Sequence, residues 1–408
     1  MSEQAPTRLV VALIGGSHLL NHAYFTLLPP IFGALDADLS ITAGQSGLAL
    51  GLVGFVVVAL QLPYGYLSDR YSRSLVLACS LVVGTVGALL TAAATGYPSL
   101  LLASAVTGVG IAGHHPAHYP MLSAATDPEA RGRVFSVHGF TGALGFALPF
   151  AVVGGAAAVG VGWRTAVAAI GALGAVYTAL ALVVLSRRVP RSVTHGPAST
   201  GDRPSLASLP RRLRAWARGL SRPILLLTLL WFLLSVANWG VQAYTAPLLT
   251  DGYGVDPGLA NVLVSAMLVV GAVAILAGGV LADRYGARAV VLGGFVGLLA
   301  LSALLASGVL PVLAAIAVTL VFATTVKVGR PALSKLGDSL STRDDLGTNF
   351  GILTIGISGG GAVAPPIFGA LTDAAGIAAV FWVLAALAVL AFGFTFVVLA
   401  AGDPTPSN

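Results

Sequence analysis

Six of the chain's seven histidines fall in short stretches of otherwise apolar sequence: His18 and His22; His114, His115 and His118; and His138. Residues four apart share a helix face, so His18/His22 and His114/His118 each present two imidazoles in one direction. Imidazole titrates near neutral pH and ligates Zn, Cu and Ni, so both proton transfer and metal binding are within its chemistry. Two cations, Lys327 and Arg330, lie one turn apart in another apolar stretch. A cation at the centre of such a span costs about 2.5–3.5 kcal/mol on insertion scales. All fifteen Asp and Glu residues lie in loops, at span ends or in the tails, so no internal carboxylate offsets that cost. Two explanations follow: a water-filled cavity that accepts an anion from outside the protein, or snorkelling of both side chains to the headgroups. No nucleophile–base–acid set, nucleotide loop or cofactor motif is visible, so the reading is not an enzyme and carries neither cofactor nor resident metal.

The elements that must position these groups are membrane helices. Of 408 residues, 57% are hydrophobic and 9% charged, against about 25% charged in a soluble domain. Twelve apolar runs are long enough to span about 30 Å of hydrocarbon: 9–34, 46–67, 74–95, 98–123, 133–155, 164–186, 223–249, 259–282, 288–307, 311–335, 347–370 and 377–401. They are too long and too uniformly apolar for the alternating strands of a barrel. The first holds His18, Asn21 and His22 and ends in Pro29 and Pro30 without a small-residue cleavage site, unlike a signal peptide. One cysteine, Cys79, excludes an intrachain disulfide and a cysteine metal cage.

The net charge of +6 does not indicate nucleic-acid binding, because its source is local. Residues 187–222 hold nine arginines against the single acid Asp202. Of 21 Lys and Arg residues, 18 fall on one side of the membrane and only Arg164 on the other. That asymmetry places both termini and the 187–222 linker in the cytoplasm. Within the linker, Leu209, Leu213, Trp216 and Leu220 recur at helical intervals among arginines. Either an interfacial helix on an anionic inner leaflet or a basic tether fits this pattern.

The chain repeats itself. "GYLSDRYSR" (65–73) returns as "GVLADRYGAR" (279–288), and Pro116, Gly132 and Phe135 recur as Pro331, Gly347 and Phe350. The expected fold is therefore an all-α membrane protein of twelve transmembrane helices in two pseudo-symmetric six-helix bundles, 1–186 and 223–408, joined by 187–222. Over essentially its full length the chain resembles the major facilitator superfamily, whose loop signature is Gly-x-x-x-Asp-Arg-x-x-Arg. Here it reads Gly65, Asp69, Arg70, Arg73, then Gly279, Asp283, Arg284, with Arg288 one position late. In the resemblance these residues gate the cytoplasmic side: the glycine lets two helices approach closely, and the Asp–Arg pair acts across the halves. Charges that merely stop helices at the headgroups would look the same. A narrower set, "SHLLN" (17–21), "GVG" followed by "HP" (108–116) and Gly139, Gly142 and Gly145, is similar to the fosmidomycin-resistance branch of efflux proteins. Where that branch often carries an acid and a Glu, this chain has His22 and Ala117.

The resemblance implies that the first, fourth, fifth, seventh, tenth and eleventh spans line a central cavity. It then implies a substrate site made of Arg330, Lys327, His18, His22, His114, His115, His118, Tyr24, Asn238, Gln242 and Tyr244. His115 is the repeat counterpart of Arg330, so the two are expected to face each other. Helix-to-helix hydrogen bonding is the alternative role for each histidine. The expected function is a secondary active transporter, acting as a monomer, that moves a small organic anion (carboxylate, phosphonate or organophosphate) across the cytoplasmic membrane by alternating access, as drug efflux or anion exchange. Transport of a late transition metal or its chelate through the histidines is the second reading. A non-transporting receptor or sensor on the same fold is the third.

Overall fold

Pro29 and Pro30 end the first helix early. In the computed structural model, which describes residues 7–195, 221–340 and 346–402, α1 covers Thr7–Phe25 rather than continuing to residue 34. The chain then turns through Pro29–Ile31 into a short α2, Phe32–Leu39. Proline lacks the N–H that a continuing helix needs, which accounts for the break. Most of the segment 209–222, expected to be an interfacial helix or a tether, lies outside the described residues.

Long apolar helices follow: α3 (Ala43–Arg70), α4 (Arg73–Ala92), α5 (Tyr97–Ala112), α6 (His114–Ala124), α7 (Arg131–Ala158), α8 (Trp163–Arg187) and a single turn α9 (Arg191–Thr194). The C-terminal half supplies α10 (Arg222–Pro247, extended by a π turn to Gly252), α11 (Pro257–Tyr285), α12 (Ala287–Ala306), α13 (Val312–Phe322), α14 (Thr324–Lys327), α15 (Arg330–Ser339), α16 (Leu346–Ala375) and α17 (Ile377–Gly402). Polar caps start several of them. Thr42 and Gln45 form a reciprocal capping box on α3, Ser72 caps α4, and Asp256 caps α11.

Among the described residues, ten helical segments are long and apolar enough to cross a membrane. Beside them pack α1, which carries Ser17, His18, Asn21 and His22, and the pair α5–α6, interrupted at Gly113. The corresponding stretch of the C-terminal half is interrupted too, at Ala323 and again at Val328–Gly329. Pro116 and Pro331 lie just past these breaks. A proline there frees a backbone carbonyl, and the bend carries His114, His115, Lys327 and Arg330 on the broken segments.

The two halves of the chain meet along α3–α16 and α7–α11. Hydrogen bonds between them cluster at the end away from the arginine-rich loops. There Asp373 accepts from the Thr42 hydroxyl at 2.7 Å and the Gly44 N–H at 2.9 Å. The Asn261 amide donates to the Pro30 carbonyl at 2.9 Å, and the Ser265 hydroxyl donates to Ala147 at 3.0 Å. Glycines make this closure possible: a Cβ on Gly54 would fall 2.5 Å from the Gly361 carbonyl carbon, and Gly51 lies against Pro366 and Ala362. This end is shut.

The arginine-rich end differs. Gly65 and Gly279, expected to let helices touch, face open space. The loop-signature side chains engage their own half. Asp69 interacts with Arg73, which donates to the Pro120 and Val193 carbonyls at 3.5 Å. Arg70 lies over the Tyr66 and Tyr71 rings, Arg284 over Tyr285 and Arg288 over Phe396. Asp283 pairs with Lys335 at 2.8 Å. The expected pairing across the halves is absent from these contacts: among the described residues each of these side chains engages its own half, and Gly65 and Gly279 leave open space between helices at this end, which is here called parted.

Candidate functional site

α1 and α7 run side by side, and Gly142 and Gly145 let them come close: a Cβ on either would collide with His18, Leu19 or His22. That approach brings the histidines of α1, α6 and α7 into one cluster. His18 stacks on His138 with ring centres 3.8 Å apart and planes 12° from parallel. His118 lies 4.2 Å from His138 and 4.5 Å from His114. His115 is 5.4 Å from His18 and 5.7 Å from His22. The sequence grouped these residues by helix face; the structure makes them a single assembly of six rings.

The α1 pair is firmly oriented. His18 donates from Nδ1 to the His138 carbonyl at 2.8 Å, and His22 donates from Nδ1 to the Gly142 carbonyl at 2.9 Å. Their Nε2 atoms approach within 3.1 Å. These are the helix-to-helix bonds expected of membrane histidines. The rest of the cluster is largely unpartnered: both ring nitrogens of His114 and His138, Nδ1 of His115 and Nε2 of His118 are buried without a hydrogen bond. One nitrogen from each of His18, His114 and His115 falls within a 4.8 Å group, close enough to gather around a transition metal.

Lys327 is 5% exposed and reaches across the halves. Its ammonium lies 5.7 Å from the centre of the Phe146 ring, and that ring also stacks on His22 at 4.1 Å. Phe146 therefore links the cation of the C-terminal half to the histidines of the N-terminal half. Trp239 closes the aromatic group, 6.4 Å from Phe146 and 4.8 Å from Phe25. Arg330 lies 5.7 Å over the Trp231 ring and interacts electrostatically with the Tyr119 phenol. The expected His115–Arg330 facing is thus replaced by a neighbour one turn along α6.

On α10, Gln242 is 1% exposed and both its amide atoms lack partners, as does the Oδ1 of Asn238. The two tyrosines expected in the site are committed elsewhere. The Tyr24 hydroxyl bonds Thr85 at 2.9 Å, inside the N-terminal half, and Thr85 reaches Thr178 at 3.3 Å. Tyr244 donates to the Pro365 carbonyl at 2.6 Å and packs against α16. A buried phenol needs such a partner, which draws both away from a ligand. The sequence reading missed Phe146, Tyr119 and Trp231. Phe146 follows His138 and Gly142 at four-residue intervals on one face of α7, a spacing that was available. Tyr119 and Trp231 had no such signal.

With this arrangement in view, similarity to known proteins assigns the family. The Major Facilitator Superfamily model matches residues 14–246 and 228–408, and the chain belongs to that superfamily. It is an MFS transporter of small molecules. It is 25% identical over 391 residues to the uncharacterized MFS-type transporter YfnC of Bacillus subtilis, covering 93% of this chain and 90% of YfnC. It is 24% identical to the putative niacin/nicotinamide transporter NiaP of B. subtilis, over 59% of this chain and 58% of that protein. The fosmidomycin resistance protein of Escherichia coli matches at 30% identity over 26% of each chain, the branch whose motifs the sequence suggested. In fold, the chain superimposes on a bacterial homolog of the human lysosomal transporter Spinster, in an inward-facing and unoccupied conformation, with a TM-score of 0.81 at 16% identity and complete coverage of both chains.

Proposed function

We propose that this protein is a secondary active transporter that moves a small organic anion across the cytoplasmic membrane by alternating access. In this reading twelve spans form two bundles, 1–186 and 223–408, the linker 187–222 and both termini are cytoplasmic, and the parted basic end opens to the cytoplasm. The observation that carries it is Lys327: a buried ammonium at the junction of the halves, held against an aromatic face with no carboxylate paired to it among the described residues. Among the described residues the two ion pairs, Asp38–Arg164 and Asp283–Lys335, lie at opposite ends of the molecule and leave the central cations to a ligand. Arg330 adds a planar fork suited to a carboxylate or phosphonate. Gln242 supplies an unpaired amide and Asn238 an unpaired Oδ1, and Phe146 and Trp239 offer flat apolar faces. A small aromatic carboxylate matches these groups, and niacin, the cargo named for one relative, is such a molecule.

A second reading, transport of a late transition metal, is favoured by one observation, the nitrogens of His18, His114 and His115 within 4.8 Å. Thermal-shift measurements on the purified protein separate the two. Stabilisation by carboxylates or phosphonates, and none by Zn, Ni or Cu, is the expected result. The reverse pattern replaces the anion with a metal.

A further inference from the structure

Three arginines from three separate helical elements converge on one cavity. Arg73 and Arg131 are the first residues of α4 and α7, and Arg191 opens the single turn α9. Together they line an open cavity of about 610 Å³ at the arginine-rich end, and Ser123, Ser192 and His195 share its wall. No acidic side chain lines it. Among the described residues none of the three arginines forms an ion pair, and Asp69 acts on Arg73 from outside the lining. The wall is tied together across the chain. The Ser72 hydroxyl donates to the Thr194 carbonyl at 3.3 Å, which fixes α9 against the start of α4.

The half-buried guanidinia are anchored with donors to spare. Arg131 donates from Nη2 to the Ser123 carbonyl at 3.2 Å, and Arg73 from Nη1 toward the Pro120 and Val193 carbonyls at 3.5 Å. A guanidinium carries five N–H donors, and the Nε of both residues is buried without a hydrogen bond. A cation at a helix N-terminus also opposes the macrodipole, and the first turns of α4 and α7 contain no acid. Unpaired cations gathered in this way repel one another, and an anion between them removes that cost. Topology alone does not require the convergence. Arg133, Arg187 and Arg188 mark the same side of the molecule while exposed and outside the lining.

We propose that this cavity binds a phosphomonoester dianion, at a site separate from the central one between the halves. The ligand class follows from the number and origin of the donors. A carboxylate has two oxygens and one charge, and a single guanidinium fork satisfies it. Here three guanidinia from three elements, with the Ser123 and Ser192 side chains beside them, surround one space. Such a set matches a tetrahedral group with three acceptor oxygens and close to two negative charges, which is a terminal phosphate. That group occurs free in solution and on a lipid headgroup, and the same donors serve both. Bound there, it joins α4, α6, α7 and α9 within the N-terminal half. Nothing in this site depends on what the central cavity carries.

Two arms of one experiment on the full-length protein test the site and separate its sources. Calorimetric titration in detergent with inorganic phosphate and glycerol 3-phosphate, at an ionic strength fixed with chloride, tests the soluble source. Nanodiscs of phosphatidylcholine containing phosphatidic acid test the lipid source, with phosphatidylglycerol, a phosphodiester, as the control and native mass spectrometry as the readout. Saturable binding in at least one arm is expected, and the arm that shows it identifies the source. Arg131→Gln should weaken that binding about tenfold or more, the size of a lost charge-assisted hydrogen bond. Arg191→Gln, at an exposed position, should weaken it less and keeps the test open if Arg131→Gln does not fold by gel filtration. Arg133→Gln removes an equal charge outside the lining, and Lys327→Met removes the central ammonium; both should retain wild-type affinity. Absence of binding in both arms overturns the site. Equal weakening by Arg133→Gln, the mark of a diffuse basic surface, overturns it as well. So does binding that is lost in Lys327→Met and kept in Arg131→Gln and Arg191→Gln, which would place the phosphate in the central cavity.

Discussion

Lys327, on α14, directs its ammonium at the face of Phe146, on α7, 5.7 Å from the ring centre. The two residues belong to opposite halves of the chain, and Phe146 in turn stacks on His22. Whatever enters beside Phe146 meets the cation and the histidine cluster together. If the substrate binds there, as proposed, its binding is coupled to the packing that joins the halves.

Lys327→Met should remove the ammonium while keeping most of the stem's apolar packing. Anion binding should weaken sharply, with little loss of thermal stability, because a buried cation without a protein partner costs free energy when the ligand is absent. Arg330→Lys keeps the charge and loses the fork, so it should also weaken binding, while Arg330→Ala should lose about 2–5 kcal/mol. Binding isotherms of the three variants in detergent or liposomes check the order. A metal transporter would give full binding, or tighter binding, in all three.

The shut end should depend on Asp373. Asp373→Asn weakens the acceptor that receives the Thr42 hydroxyl and the Gly44 N–H. Hydrogen bonds to a charged group contribute about 1.5–3 kcal/mol each at most, and less where water competes. A shift of a few fold or more toward the state open at this end is expected, read by spin-label distances between α3 and α16. Gly54→Val should shift the balance further, because the side chain has no room against Gly361. Unchanged distances in both variants would mean that this interface does not set the conformation.

Asp69 should matter only when the basic end closes. In the parted conformation it interacts with Arg73 of its own half. Asp69→Asn should therefore leave ligand affinity in this state intact and slow transport in proteoliposomes. Asp283→Asn, whose native partner is Lys335, should be milder. Transport at the wild-type rate in the Asp69 variant would leave these charges as helix ends at the headgroups.

A pH effect is expected at the far end. Asp38 accepts from the Trp163 indole at 2.7 Å and from Arg164 at 2.8 Å, and the indole bond, then the guanidinium, hold its carboxyl below the usual carboxylate range. A depressed carboxylate contributes stability that is complete above its unfolded pKa of about 3.9 and is lost as pH falls through the folded value. The small deficit in Tm of Asp38→Asn relative to wild type should persist at pH 5–7 and vanish as pH falls well below about 4. A constant deficit down to pH 3 would exclude this tie between α2 and α8.

The helical character, the internal repeat and the identities of most central polar groups followed from the sequence, because each rests on local chemistry. Uninterrupted apolar runs must be helices in lipid, a repeated loop motif marks a repeated unit, and a histidine or lysine in such a run is conspicuous wherever it points. Side-chain direction followed less well. Tyr24 and Tyr244 occupy plausible spans, yet their hydroxyls bond Thr85 and Pro365, partners 61 and 121 residues away along the chain. Only tertiary packing selects such partners. The same holds for Phe146, an ordinary apolar residue by type, which becomes the bridge between Lys327 and His22 once α7 meets α1 and the C-terminal half. Conformation was the least legible feature. Gly65 and Gly279 are identical in type to Gly54 and lie in similar helices, yet they face open space while Gly54 is pressed against Gly361. A small residue permits close approach, and which pair of permitted interfaces closes is decided by the balance of contacts between the halves.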